Sequence, residues 1–188
     1  MNHRTFALCL GLASGVAAAG TLPAPSLDAG APAPGLQTAV FAGGCFWGVE
    51  AVYRHLNGVT RAVSGYAGGR TANPTYEAAS SGRTGHAESV EVTYDPKVVS
   101  YGQLLRVFFS VAHDPTELNR QGPDVGTQYR SAIYFANDEQ KRIAFAYIAQ
   151  LDAANAFPTK SVTEVAPLTT FYPAKAHHQH YLARQPTQ

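Results

Sequence analysis

From Gln37 onward, stretches that alternate apolar and polar residues trade places with stretches in which apolar residues recur every three or four positions. Thr38-Ala39-Val40-Phe41 reads as a buried strand, and Phe46, Val49, Val52, Tyr53 and Leu56 then form an apolar stripe that predicts a helix over 45–56. Val59 to Tyr66 reads as a second strand ending at Gly68-Gly69, and Asn73-Pro74-Thr75 opens a short helix carrying Tyr76. His86 to Tyr94 alternates as a third strand, closed by Asp95-Pro96. Ser100 with Gln103 makes a capping-box pattern for a helix over 101–111. Tyr129 to Phe135 is the next strand, and Asn137 with Gln140 repeats the capping logic for an amphipathic helix reaching Ala154. Ser161 to Val165 is a last strand, followed by an irregular tail with one short helix near His177 to Leu182. Between His113 and Gly126 no period holds, and Pro115, Gly122, Pro123 and Gly126 mark a long loop. Long ordered loops inside compact domains are often functional.

Strands separated by single helices, with no repeat of solenoid length, predict an α+β domain. The expected architecture is a two-layer α/β sandwich of the split βαβ type, a ferredoxin-like plait with irregular loops. The first 36 residues stand outside this pattern. Met1-Asn2-His3-Arg4 is a basic start, Phe6 to Val16 is apolar and alanine-rich, and Ala17-Ala18-Ala19 suits signal peptidase. Residues 1–19 are therefore read as a signal peptide cleaved before Gly20, which sends the chain to the periplasm or the medium. The apolar run is too short for a membrane span. Residues 20–36, with Pro23, Pro25, Pro32 and Pro34, are read as an extended linker with little capacity to pack.

Cleavage changes the charge and the cysteine count. The chain has 14 Lys plus Arg and 13 Asp plus Glu, so losing Arg4 leaves a mature chain of formal net charge zero. That balance lacks the basic footprint of a nucleic-acid binder. Cys9 leaves with the signal, and Cys45 remains as an unpaired thiol in an oxidising compartment.

Cys45 lies in Gly43-Gly44-Cys45-Phe46-Trp47-Gly48-Val49-Glu50, at the junction of strand and helix. Backbone N–H groups at a helix start favour an anion, so the thiol is expected to have a lowered pKa and to act as a nucleophile. The competing reading is a buried structural cysteine. Glu88 shares a strand face with Val90, Val92 and Tyr94, whereas Ala87, Ser89, Glu91 and Thr93 form the more polar face, which turns Glu91 to water. A carboxyl turned to the apolar side stays protonated to higher pH and can serve as a general acid; at a solvated edge it would do neither. Tyr76 and Tyr129 are two of ten tyrosines, and Phe46 and Trp47 are either core or an apolar receptacle beside the thiol. Asp124 is a turn-former or a polar member of the site. His177, His178 and His180 could join Cys45 as a soft metal site, but no metal-ligand spacing supports this. Gly-Cys-Phe-Trp also resembles papain-like nucleophile segments, which makes a Cys–His hydrolase a further rival.

At this point the motifs meet a known family. Gly44-Cys45-Phe46-Trp47-Gly48 resembles the active-site signature of the type A peptide-methionine sulfoxide reductases. The resemblance continues through Gly65-Tyr66-Ala67-Gly68-Gly69, Asn73-Pro74-Thr75-Tyr76, Thr84-Gly85-His86-Ala87-Glu88, Tyr94-Asp95-Pro96 and His113-Asp114-Pro115-Thr116. Asn119-Arg120-Gln121-Gly122-Pro123-Asp124, Gly126-Thr127-Gln128-Tyr129-Arg130-Ser131 and Phe171-Tyr172-Pro173 extend it, so it spans 37–182 and implies a catalytic domain over 37–188. The resemblance implies reduction of the S epimer of methionine sulfoxide, free or in oxidised proteins, as a repair reaction under oxidative stress. It assigns Cys45 as nucleophile, Glu88 as acid, Tyr76 and Tyr129 as hydroxyl donors to the sulfoxide oxygen, Phe46 and Trp47 as the wall for the substrate methyl, and Asp124 as a polar site residue. No metal or organic cofactor is implied. Ser80 stands where some relatives carry cysteine, and Ala183 to Gln188 contains none. A one-cysteine cycle follows, with a sulfenic acid on Cys45 reduced directly by an external thiol of the thioredoxin system, a glutaredoxin-type protein or a small thiol. The tail, Lys175-Ala176-His177-His178-Gln179-His180-Tyr181-Leu182, departs from the family's frequent Glu-Asp-Tyr-His-Gln-Asp-Tyr-Leu. A rival from another class is a thiol-bearing binding domain for methionine-rich segments, which would need the apolar wall but not Glu88 with Cys45.

Overall fold

The structure is a computed structural model that describes residues 22–31 and 34–185. The expected signal peptide lies outside the described residues. The chain runs through β1 (Gln37–Gly43), α1 (Phe46–Arg54), β2 (Val59–Ala67), α2 (Tyr76–Ser80), β3 (Ala87–Tyr94) and α3 (Tyr101–Val107). It continues through β4 (Arg120–Gln121), β5 (Asp124–Val125), β6 (Ser131–Phe135), α4 (Asp138–Ala153), β7 (Glu164–Pro167), β8 (Tyr172–Pro173) and α5 (Tyr181–Arg184). Strands β7-β6-β1-β3-β2-β8 make one six-stranded sheet, and β4-β5 a separate small hairpin inside the long loop.

The central four strands, in the order β6-β1-β3-β2, are antiparallel to their neighbours. β1 and β2 thus run the same way with β3 between them, the split βαβ arrangement expected from the alternation of elements. β7 adds in parallel to β6, and α4 makes the crossover between them. One sheet face carries the main core, in which Ala39, Phe41, Val90 and Val92 meet Val49 and Tyr53 of α1, Leu104 of α3 and Ile143 and Tyr147 of α4. Phe41 stacks on Tyr53 at 5.1 Å and on Phe108 at 5.2 Å. The other face is smaller-grained, with Val40, Ala42, Ala87 and Ala132 under Leu168 and Phe171. Ala87 and Ser89, expected on a polar face, are fully buried.

The helix starts follow the sequence logic. Ser100 and Gln103 make the reciprocal capping box, and Asn137 accepts from the Gln140 amide at 2.9 Å. α3 widens into a π-helical turn over Phe108–Ala112 instead of continuing as an α-helix to 111. That turn presents the Phe108 carbonyl to His113 Nδ1 at 3.1 Å, and His113 Nε2 meets Ser131 Oγ at 2.6 Å. Helix end, loop start and β6 are thereby tied together.

The proline-rich segment corrects an expectation. Its described part is a strap with real packing, not an idle linker. Leu22, Leu27 and Ala29 lie against the main core. Tyr147 Oη donates to the Pro23 carbonyl, Gln150 Nε2 to the Ala24 carbonyl, and Arg106 Nε to the Leu22 carbonyl, each at 2.8 Å. An extended chain outside the sheet leaves its carbonyls unpaired, and side-chain donors of the helices take them up. Asp28 completes the strap by accepting from Ser100 Oγ and from the Gly102 amide, the latter at 2.8 Å. Asp28→Ala should therefore lower stability by about 1–3 kcal/mol, read from urea unfolding, with catalytic rates unchanged.

Candidate active site

Antiparallel pairing determines which residues meet. Phe41 pairs with Val90, so the end of β1 lies level with the start of β3, and Tyr66 near the end of β2 pairs directly with Glu88. Gly43 pairs with Ser131, which brings Tyr129, two residues earlier, to the same end of the sheet. Cys45 stands at that end as the N-cap of α1. Between them Gly44 has φ +86°, and a Cβ there would meet Gln121 Cβ and Cγ at 2.6 Å. Only glycine combines that conformation with so close a neighbour.

Gln121 in turn fixes the long loop. Its amide closes on Asp114, accepting from the Asp114 N–H at 2.9 Å and donating to the Asp114 carbonyl at 3.0 Å. The hairpin that follows carries Asp124 into the field of the thiol. Tyr129 ends a 3₁₀ turn over Thr127–Tyr129 that Arg130 clamps from below. The guanidinium binds the Thr127 carbonyl at 2.8 Å, the Gly85 carbonyl at 3.1 Å and Glu164 at 2.9 Å. Gln128 Nε2 donates to the Ser80 carbonyl at 2.8 Å, joining this turn to α2, whose first residue is Tyr76. Cys45, Tyr76, Glu88, Asp124 and Tyr129 thereby come within electrostatic reach of one another at this end of the sheet.

Glu88 is 2 % exposed, on the face of Val90 and Val92, and Oε2 accepts the Phe46 amide at 3.1 Å. Burial raises its pKa to about 7; the Phe46 amide opposes the rise and the Asp124 charge adds to it. Among the described residues no donor binds Oε1. Cys45 corrects an expectation. Its thiol is pushed up to about 11, not down, first by burial and then by the Glu88 charge. The Trp47 and Gly48 amides pull the other way, as a helix start should, but more weakly. The phenols are raised too, Tyr129 to about 12, chiefly by burial and next by Glu88. Burial likewise raises Tyr76.

The aromatic wall is larger than Phe46 and Trp47. Phe46 lies 5.8 Å from Tyr66, 6.4 Å from Tyr76 and 5.6 Å from His178, and His178 packs on Tyr76 at 4.3 Å. Trp47 Nε1 and both His178 ring nitrogens are buried without a hydrogen-bond partner among the described residues. Tyr66 and His178 were not assigned to the site from the sequence. The signal for Tyr66 was its place opposite Glu88 in a hairpin; the position of His178 depends on a tail contact that no local pattern announces.

The three tail histidines do not gather on Cys45. His180 turns to Glu50, with Nδ1 2.8 Å and its backbone N–H 2.9 Å from Oε1, while His178 enters the aromatic wall. No group of three His, Cys, Asp or Glu side chains shaped to hold a metal ion occurs among the described residues.

Residues 37–188 match the family described as Peptide methionine sulfoxide reductase. The chain belongs to that family. A peptide methionine sulfoxide reductase MsrA 2 of Mesorhizobium japonicum is 60% identical over 155 residues, covering 82% of this chain and 80% of the relative. The methionine sulfoxide reductase A of Corynebacterium diphtheriae superposes with a TM-score of 0.73 at 40% identity, covering 83% and 78% of the two chains. Reduced Mxr1 of Saccharomyces cerevisiae gives 0.74 at 34% identity, covering 81% and 87%. Family membership and the sheet agree on the α+β architecture expected from the sequence.

Two buried groups near this family site bend stability with pH in opposite senses. Glu88 has a raised folded pKa, so its stabilising share is complete below about 4.5 and is lost as pH rises through about 7. Burial holds the His113 imidazole down at about 4, so its share is complete above about 6.5 and is lost as pH falls through about 4. Between these limits the slopes oppose each other. Glu88→Gln should lose about 2–3 kcal/mol of stability from pH 7 to 4.5, and His113→Gln should gain about as much. Urea midpoints across that range test this; a parent slope equal to either variant's would contradict the assignment.

Proposed function

We propose that this chain reduces the S epimer of methionine sulfoxide, free or in oxidised proteins, through a sulfenic acid on Cys45. The observation that carries the mechanism is Glu88: a buried carboxyl with a pKa near 7, hydrogen-bonded to the first amide of the helix that Cys45 starts. A sulfoxide oxygen cannot leave as a bare oxide and must be protonated. Glu88 holds a proton at neutral pH and keeps Oε1 clear to deliver it. Tyr76 and Tyr129, whose raised pKa values keep them protonated, donate to the same oxygen. Phe46 and Trp47, with Tyr66 behind them, take the substrate methyl.

The reaction balances within the site. Cys45 Sγ bonds to the sulfoxide sulfur while Glu88 gives its proton to the oxygen. The S–O bond then breaks, the oxygen bonds to Sγ as S–OH and the Sγ–S bond breaks, releasing methionine, while the proton lost by the thiol returns to Glu88. The substrate sulfur gains two electrons and Sγ loses two. The thiol loses its proton more easily once Glu88 is neutral, because the carboxylate charge is one of the forces holding that proton. Protonating Glu88 therefore prepares acid and nucleophile together. A Cys–His hydrolase would need an imidazole on the thiol, and neither His178 nor His180 occupies that place.

Recycling follows from the cysteine count. Cys45 is free, and the only other cysteine, Cys9, lies in the leader. An external thiol must attack the sulfenic sulfur, release water and leave a mixed disulfide, which a second thiol resolves. A crystal structure of yeast Mxr1 in complex with Trx2, 27% identical with a TM-score of 0.53 over 78% of this chain and 84% of that one, supports a thioredoxin-type donor. The leader-like first 19 residues support export and cleavage before Gly20.

In single turnover without reductant, each active chain should release one methionine and form one sulfenic acid, trappable by a sulfenic-acid reagent. Cys45→Ser should abolish this. Glu88→Gln should slow it about 10²–10⁴-fold, and the parent rate should fall above about pH 7 as Glu88 loses its proton. A Glu88→Gln rate within a few-fold of the parent would place the acid elsewhere. Tyr76→Phe and Tyr129→Phe should each be milder than their combination. In steady state, dithiothreitol should support many turnovers, and thioredoxin alone should be slower because no exposed protein disulfide forms for it to reduce; faster turnover with thioredoxin would show that it attacks the Cys45 sulfenic acid directly.

A further inference from the structure

The back of Trp47 opens onto a second feature. Between α1 and α5 lies a cleft of about 180 Å³ whose lining includes Trp47, Arg54, His55 and His180. Beside it a further hollow of about 320 Å³ runs along the start of β2, lined by Arg54, Arg61 and again His180. Arg54 and His180 line both, so the two hollows adjoin and together form a groove along this side of α1. At one end stands Trp47, 6.2 Å from Phe46 and 6.0 Å from His178, so the groove begins where the aromatic wall ends.

The charge along this groove is one-sided. Arg54 and Arg61 are exposed, and neither has an ion-pair partner among the described residues. His55 commits only Nδ1, at 2.7 Å from the Ala51 carbonyl. The one acid on the lining is Glu50, and it is 1 % exposed. Its oxygens are already taken by Ser64 Oγ at 2.8 Å and by the His180 backbone N–H and Nδ1 at 2.9 and 2.8 Å. Glu50 fixes the tail in place and offers little to a visitor. The carboxylates of the catalytic site, Glu88 and Asp124, line neither hollow.

We propose that this groove receives an acidic stretch of the oxidised polypeptide substrate, so that methionine sulfoxide flanked by Asp or Glu is reduced in preference to the same residue flanked by Lys. The proposal rests on the reductase reading and specifies its substrate class. Charge complementarity with two unpaired arginines selects the acidic flank, and continuity with Trp47 sets its position next to the reacting sulfur. Exposed pairs are individually weak, so the preference is moderate and salt-sensitive.

The test compares peptides of one length in which methionine sulfoxide is flanked on both sides by Glu, Gln or Lys, with N-acetyl methionine sulfoxide amide as the small reference. Single-turnover rates at subsaturating peptide and low ionic strength should favour the Glu peptide over the Lys peptide by about 10-fold. That ratio should shrink below about twofold in about 0.5 M salt. The double variant Arg54→Glu, Arg61→Glu should erase or invert the ranking while leaving the small reference within about twofold of the parent. Equal rates for the three peptides in the parent would overturn the proposal, as would a double variant that slows the small reference equally. A double variant that impairs only thioredoxin-driven recycling would reassign the groove to the reductant and also overturn it. Fluorescence anisotropy of the same peptides on Cys45→Ser ranks binding without turnover. Charge-ranked binding with no reduction by the parent would retain the groove and reject the reductase reading; unranked binding would reject the groove.

Discussion

A carboxyl buried behind the first turn of a helix governs the rest of this molecule. Glu88 accepts the Phe46 amide at 3.1 Å, and that contact ties β3 to the start of α1 at the point where Cys45 stands. Two forces compete on it. Burial disfavours its charge, while the amide and the partial positive charge of the helix start favour it. Had burial acted alone, the carboxyl would be too weak an acid to deliver its proton readily; with more donors it would be ionised at neutral pH and useless as an acid. The single amide leaves it near 7, and the second oxygen remains clear for the substrate.

The supporting contacts read as the means of keeping that balance. Register alone brings Gly43, Tyr66, Glu88 and Ser131 to one end of the sheet. Loops then supply the remaining groups, and each is anchored by backbone-directed side chains. Gln121 closes on Asp114 and packs against Gly44, Gln128 reaches the Ser80 carbonyl, and Arg130 binds two carbonyls and a carboxylate. Gln179 does the same for the tail, its amide exchanging hydrogen bonds of 2.9 Å with both backbone groups of Ser64 at the sheet edge. A primary amide carries one donor side and one acceptor, so it imitates a neighbouring strand where β8 has ended.

Much of this was legible in the sequence, for physical reasons that also mark the limits. The period-two pattern over His86 to Tyr94 turned Glu88 toward Val90 and Val92 because a strand fixes side-chain direction within itself. The same reasoning could not show that the opposite face, Ala87 and Ser89, is covered, because the cover comes from Leu168 and Phe171, far along the chain. Caps were legible at Ser100 and Asn137 because capping is local. The strap before Gln37 was not, since its packing depends on Tyr147, Gln150 and Arg106 rather than on its own composition. His178 and Tyr66 escaped assignment for a similar reason. The lowered thiol pKa expected at a helix start was the wrong sign because the expectation weighed the helix amides and not the burial or the carboxylate beside them.

That error points to a constraint on the site as a whole. The apolar wall formed by Phe46, Trp47, Tyr66 and Tyr76 is suited to a methyl group because it excludes water. Exclusion of water is also the largest cause of the raised pKa of Glu88, of Cys45 and of both phenols. Substrate fit and acid strength therefore share one origin and cannot be tuned apart. An enlarged or more polar pocket would admit water, drop Glu88 toward an ordinary carboxylic acid and strip the proton needed at neutral pH. It would also ease ionisation of the thiol, gaining a nucleophile while losing the acid. The resting site holds the opposite arrangement, with the thiol protonated at neutral pH and the carboxyl close to its midpoint. A sulfoxide that fills the space between them accepts the Glu88 proton and the tyrosine hydroxyls, and the proton given up by the thiol returns the carboxyl to its neutral form.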